Sequence, residues 1–250
     1  MCCTPWGTQG SQTTGQFDIV AGSSAGALVA VLYALGDDLG DIELQAVLLR
    51  WQEIIGWRIS RHEVGDPRRF LRFLRIVTRG ALLENLRRRV LVVATDLRQG
   101  EPYVFESGEA AEAIYASCAL PGLFPPLKRD GRILADGSFL SPLPLDVLQQ
   151  HGATKRVGIS FRGRADDELR SVVGTIRRSF SVMMDRIEAD ERTQADLLIQ
   201  PAADGCGLLD LRQIQRCIAE GEMAAEAALP QLLQLTRGMD PPLAKSEVAD

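Results

Sequence analysis

Histidine is nearly absent. His62 and His151 are the only two in the 250 residues, so hydrolytic chemistry that relies on an imidazole has few candidates. The five cysteines, Cys2, Cys3, Cys118, Cys206 and Cys217, are odd in number and lack repeated metal-type spacing. They read as free thiols of a reducing compartment. No apolar run approaches the ~18–20 residues of a membrane-spanning helix. The opening MCCTPWGTQGSQTTGQ has neither the charged start nor the apolar stretch of a secretory signal. A basic excess is also missing: the formal net charge of −5 argues against a dedicated nucleic-acid binder. These absences point to a cytoplasmic protein that touches membranes only from outside, with no nucleic-acid partner. No internal repeat is present.

What is there suits one α/β domain with a full core. Hydrophobic residues make up 46% and charged residues 24%, ordinary for a globular chain. Residues 1–16 are a loose, polar lead-in, and the polar, proline-containing end, 237–250, reads as a disordered tail. Between them, strands alternate with helices. Phe17–Ala21, Arg89–Asp96, Pro102–Phe105, Arg132–Ala135, Arg156–Phe161 and Leu197–Gln200 read as strands. Helices are expected at Ala25–Leu35, closed by Gly36, and at 41–57, Ala110–Ser117, Leu143–Gln150, 167–192 and 210–235. Such alternation implies a largely parallel sheet covered on both faces.

The clearest chemical signal is Gly22-Ser23-Ser24-Ala25-Gly26, between an apolar strand and an alanine-rich helix. A serine hydroxyl needs a base to take its proton and donors to receive the developing oxyanion. Small neighbours allow a sharp strand-to-helix turn that pushes the serine oxygen clear of the chain. The helix N-terminus favours negative charge there, and the Ala25 amide is a natural oxyanion donor. The competing reading is a tight turn that merely needs small residues, and the flanking strand and helix favour catalysis.

The base is less evident. His62 lies among arginines and reads as solvated. His151 reads as a helix C-terminal residue, although it follows Asp136 in the order a Ser-Asp-His triad requires. Asp136, ending a strand and followed by Gly137, could serve Ser24 directly, or could belong to an ordinary Asp-Gly turn. The residues alone leave both readings open.

Taken together, FDIVAGSSAGAL (17–28), VVATDLRQGEPYVF (92–105), AIYASCALPGLFPPL (113–127), DGRILADGSFLSPLPLDVL (130–148), ADLLIQPAADG (195–205) and IAEGEMAAEAALPQL (218–232) resemble the patatin-like phospholipases. The resemblance spans Phe17 to Leu232. It implies a three-layer α/β/α fold with a mostly parallel central sheet, a patatin-like domain over 17–236, and no metal or organic cofactor. It also implies hydrolysis of a lipid or other acyl ester by a Ser-Asp dyad, with Ser24 as nucleophile and Asp136 as base. Gly22, Ala25 and Gly26 would form the elbow, and Gly137 and Ser138 the Asp-Gly motif. Ser138 stands where the family has Gly or Ala, and the stretch before Val90 is short for the family. The family's strand and glycine-rich oxyanion loop ahead of the serine are not reproduced by Gly7, Gly10 and Gly15. That departure carries a second expectation: a catalytically impaired domain that binds lipid or a partner protein.

Residues 58–89 form a basic, cap-like segment with ten arginines (58, 61, 68, 69, 72, 75, 79, 87, 88 and 89). Phe70, Phe73, Leu74 and Val77 make an apolar helical stripe flanked by Arg68, Arg69, Arg72, Arg75 and Arg79. Such a helix can rest peripherally on an anionic membrane. The plainer alternative, an ordinary helix with its stripe against the core and its arginines in water, is somewhat favoured.

Overall fold

The computed structural model describes residues 17–36, 40, 65–161, 172–202 and 214–235. Its elements, in chain order, are β1 (Ile19–Ser23), α1 (Ala25–Leu35), α2 (Pro67–Val77), β2 (Arg89–Asp96), β3 (Glu101–Phe105), α3 (Ala110–Ser117), β4 (Leu127–Arg129), β5 (Arg132–Asp136), α4 (Leu145–Gln150), β6 (Val157–Ile159), α5 (Val172–Arg192), β7 (Leu197–Ile199) and α6 (Ile214–Leu235). The lead-in 1–16, the tail 237–250, the expected helix 41–57 and the first part of the basic segment lie outside the described residues.

Side-chain alternation along the strands divides the molecule into layers. Val20, Val90, Val92 and Ala94 face α1, α2 and α3, burying Ala27, Ala30, Val31, Phe70, Leu74 and Ile114. Ala21, Leu91 and Val93 face the other way, onto Leu143, Leu145, Val147 and Leu148 around α4. Helices therefore cover both faces, and the fold is three-layer α/β/α. The pairings are mixed: β1–β2 and β6–β7 are parallel, while β2–β3, β2–β5 and β4–β5 are antiparallel. Leu232 of α6 packs on Val157, Leu197 and Ile199 of the β6–β7 pair.

The pairing of β2 organises the sheet. Its residues Val92 to Asp96 pair with β3 along one edge. On the opposite edge Arg89 to Val93 pair with β1, and Ala94 to Asp96 pair with β5. β1 runs parallel to β2 and ends at Ser23 opposite Val93. β5 runs antiparallel and ends at Asp136 opposite Ala94. The two strands thus meet end to end on one edge of β2.

Local signals explain most boundaries. Gly36 closes α1 with φ of 81° and its N–H on the Tyr33 carbonyl. Asp66 caps α2, accepting from the amides of Arg68 and Arg69, with Pro67 at the first helical position. β4 was not anticipated, although Asp130-Gly131 carries its signal. Both residues have positive φ, 50° and 75°, as a two-residue hairpin turn requires.

The basic segment contributes to the main core. Phe70 stacks on Phe124 with centroids 4.6 Å apart, and Phe70 and Leu74 are buried. Arg68, Arg69, Arg72, Arg75 and Arg79 remain exposed, with Arg75 in a bidentate pair with Glu109. Cys118 is a free thiol, whereas Cys217 is disulfide-bonded. This corrects the expectation of five free thiols, since cysteine number and spacing do not reveal which sulfurs meet in space.

α5 fastens the chain that follows β5. The buried Glu191 carboxylate accepts from Ser141 Oγ at 2.9 Å and from the Leu143 amide at 2.7 Å. Burial outweighs those hydrogen bonds and pushes Glu191 up to about 7 from the ordinary 4.5. The folded protein therefore holds a proton that an unfolded chain releases near pH 4.5. The stability this confers is complete below that pH and is lost as pH rises to about 7. At about 1.4 kcal/mol per pH unit, the loss is on the order of 3 kcal/mol. Urea unfolding between pH 4.5 and 7.5 should weaken the wild type by that much more than Glu191→Gln. Parallel pH profiles for the two proteins would contradict this.

Candidate active site

The turn between β1 and α1 is as tight as its small residues suggest. A β-carbon on Gly22 would stand 2.3 Å from the Gly26 carbonyl oxygen, so only glycine lets the first turn of α1 fold over β1. Ser24 occupies φ 53°, ψ −128°, a conformation that costs a non-glycine residue ~1–3 kcal/mol and clusters at functional sites. Its hydroxyl donates to Asp136 Oδ2 at 2.9 Å. Ala25 is exposed and Gly26 buried. As the first residues of α1 their amides have no intrahelical partner, and they lie at the positive end of the helix.

Asp136 is 5% exposed and is held from several sides. Its Oδ1 accepts from the Ser138 amide at 2.9 Å. Its own amide donates to the Ala119 carbonyl at 3.1 Å, and its carbonyl accepts from Thr95 Oγ1 at 2.9 Å. Gly137 is required by a close approach: a β-carbon there would lie 2.1 Å from the Val93 carbonyl oxygen. Burial raises the Asp136 pKa, against the opposing hydrogen bonds from Ser138 and Ser24. The result is a carboxylate that accepts a proton more readily than an ordinary one, touching a serine hydroxyl.

The elements thus bring together Ser24, Asp136, Gly22, Ala25, Gly26, Gly137 and Ser138. His151 is engaged elsewhere. Its Nδ1 lies 2.7 Å from the Val147 carbonyl and its Nε2 3.2 Å from Glu106 Oε1. Its carbonyl accepts from Arg89, the first residue of β2, whereas Ser24 and Asp136 lie beside Val93 and Ala94 further along that strand. His62 lies outside the described residues. Among the described residues, no group of three or more His, Cys, Asp or Glu side chains could hold a metal ion.

Three neighbours had no assigned role in the sequence. Ser117, fully buried at the end of α3, accepts from the Ser24 amide at 2.8 Å and donates to the Val93 carbonyl at 2.6 Å. The Cys118 thiol has its pKa pushed up by burial and then by the Asp136 charge. Ser23 Oγ donates to the Ser141 carbonyl at 2.6 Å, tying the elbow to the chain after Asp136. The only sequence signal for the first two is Ala116-Ser117-Cys118-Ala119, a run of small residues at a helix end beside Leu120-Pro121-Gly122.

A strand–serine–helix elbow thus faces a strand-end aspartate on an α/β sheet. The chain belongs to the patatin-like phospholipase family, a family of lipid hydrolases: the family profile matches residues 10–148. An uncharacterised NTE family protein of Mycobacterium tuberculosis is 25% identical over 248 residues, covering 88% of this chain and 42% of its own length. Another from the same species is 32% identical over 151 residues, covering 59% of this chain and 42% of its own length. Lysophospholipase NTE1 of Kluyveromyces lactis is 27% identical over 177 residues, covering 68% of this chain and 12% of its own length. The chain therefore spans about two fifths of the length of the mycobacterial relatives.

The close approach at Gly137 gives a direct test. Gly137→Ala should lower stability by at least the ~1–3 kcal/mol typical of overpacking, because the obstructing atom belongs to the backbone. Gly221→Ala, in open space on α6, should be neutral or stabilising by up to ~1 kcal/mol. Equal unfolding midpoints for the two variants would contradict the packing described.

Proposed function

We propose that the chain is a lipid acyl hydrolase working through a Ser24–Asp136 dyad. The observation that carries this reading is the 2.9 Å hydrogen bond from the Ser24 hydroxyl to a buried carboxylate. Ser24 Oγ attacks the ester carbonyl carbon while its proton passes to Asp136 Oδ2. The carbonyl oxygen becomes an oxyanion, with the Ala25 amide as one donor. Collapse of this intermediate breaks the ester C–O bond, the proton returns from Asp136 to the departing alcohol, and an acyl-serine remains. Asp136 then takes a proton from water, the resulting hydroxide attacks the acyl carbon, and Ser24 leaves with that proton. The substrate class is a phospholipid, lysophospholipid or related acyl ester.

The raised Asp136 pKa suits this role, since proton transfer is easiest when the base lies closer to working pH. Only the ionised carboxylate can accept the serine proton. Activity therefore falls as pH drops through the folded Asp136 pKa, above the ordinary aspartate value of 3.8. Turnover of a short-chain nitrophenyl ester and of lysophospholipid micelles should fall at least ~10³-fold in Ser24→Ala and ~10²–10⁴-fold in Asp136→Asn. Undiminished turnover in Ser24→Ala would end this reading. The alternative, a catalytically impaired lipid- or protein-binding domain, expects no Ser24-dependent turnover in the wild type.

The outward face of α2 supplies the contact with lipid in this proposal. Arg68, Arg69, Arg72, Arg75 and Arg79 are exposed, and Ile76 beside them is 68% exposed. Cationic side chains around an apolar one suit the surface of an anionic bilayer. Among the described residues no helix is long and apolar enough to cross a membrane. Co-sedimentation with vesicles containing anionic phospholipid should weaken severalfold in an Arg72/Arg75/Arg79→Glu variant, and more so at low salt. Unchanged binding would remove α2 from the contact.

A further inference from the structure

We infer that Ser117 is a positioning residue for the nucleophile, and that the end of α3 acts as a splint across both members of the dyad; this rests on the reading of Ser24 and Asp136 as a dyad. Two residues of one short segment reach the two partners. Ser117 Oγ accepts from the Ser24 amide at 2.8 Å. The Ala119 carbonyl accepts from the Asp136 amide at 3.1 Å. One short segment therefore sets the distance between a serine on one strand end and an aspartate on another.

Ser117 carries the greatest share, for two reasons. Ser24 holds a positive φ of 53°, which a serine leaves unless its surroundings over-determine it. The Ser24 amide is part of that turn, and Ser117 is its hydrogen-bond partner. In addition, the Ser117 hydroxyl has its own direction fixed. Its proton goes to the Val93 carbonyl at 2.6 Å, so its oxygen lone pairs are presented to the Ser24 amide. Val93 is the β2 residue opposite Ser23, immediately before the one opposite Asp136. The relay Val93–Ser117–Ser24 thus references the nucleophile to β2, the strand against which the base-bearing β5 is paired. Ser117 touches no reacting atom; it acts by keeping Ser24 Oγ aimed at Oδ2.

The test compares Ser117→Ala with Ser117→Thr, which retains the hydroxyl, at a temperature where circular dichroism shows both folded. Ester hydrolysis by Ser117→Ala should lose ~10–100-fold in kcat with KM changed less than about threefold, as expected when a reacting group is misplaced rather than binding lost. Ser117→Thr should recover to within a few-fold of wild type. Site-resolved hydrogen exchange should show the Ser24 amide at least ~10-fold less protected in Ser117→Ala than in wild type, with amides inside β2 unchanged. An unaltered kcat in folded Ser117→Ala, a change confined to KM, or an equally protected Ser24 amide would each overturn the assignment. Should Ser117→Ala fail to fold, Ser117→Cys, close to serine in size and a poor acceptor, takes its place against Ser117→Thr. Absence of wild-type turnover would refute the proposed function, and the exchange comparison would then decide the positioning role by itself.

Discussion

Two strands share one edge of β2, and the site depends on where they stop. β1 climbs that edge as far as Val93, and β5 descends it as far as Ala94. No other registers would bring the residue after β1 and the last residue of β5 face to face. A one-residue slip along β2 would exchange the side chains on its two covered faces and disturb the close packing of both layers. Val90, Val92 and Ala94 on one side of β2, and Leu91 and Val93 on the other, are therefore as much part of the site as Ser24. A slip there would separate nucleophile and carboxylate without altering either.

Several costs converge at that junction. Ser24 carries backbone strain, Asp136 is desolvated, and Gly22 and Gly137 accept approaches that no β-carbon could survive. Each is tolerated because neighbouring hydrogen bonds over-determine the geometry. Ser117, Ala119, Thr95, Ser138 and Ser141 all hold some part of the elbow or the aspartate. The near absence of histidine is consistent with this design. In the proposed dyad, a carboxylate whose pKa is raised by burial would take the task for which an imidazole is usually recruited.

Much of this was legible beforehand. The span Ala25–Leu35 with Gly36 as its stop, the strand Arg89–Asp96 and the helix Ala110–Ser117 all follow from composition and end signals, and each is found with those bounds. The elbow was readable because small residues, an apolar strand and an alanine-rich helix are local features. The role of Asp136 was not readable from its own residues, where a dyad partner and an ordinary Asp-Gly turn look alike; the resemblance to the patatin-like family pointed to it, and the register of β5 sets it beside Ser24. Ser117 was hidden for a related reason, since its partner lies 93 positions away and no local pattern announces such a contact. The antiparallel β4–β5 hairpin escaped notice although Asp130-Gly131 is a strong turn signal, because β4 has only three residues. The disulfide at Cys217 is likewise a matter of spatial, not sequential, proximity.

The central claim is that Ser24 is a nucleophile activated by Asp136 without a histidine. The most direct measurement is the rate at which a fluorophosphonate probe modifies the chain, with the adduct mapped by peptide mass spectrometry. The account predicts a single adduct on Ser24, formed at least ~10²-fold more slowly in Asp136→Asn and at an unchanged rate in His151→Ala. An adduct elsewhere, or one on Ser24 that needs His151 and not Asp136, would contradict it.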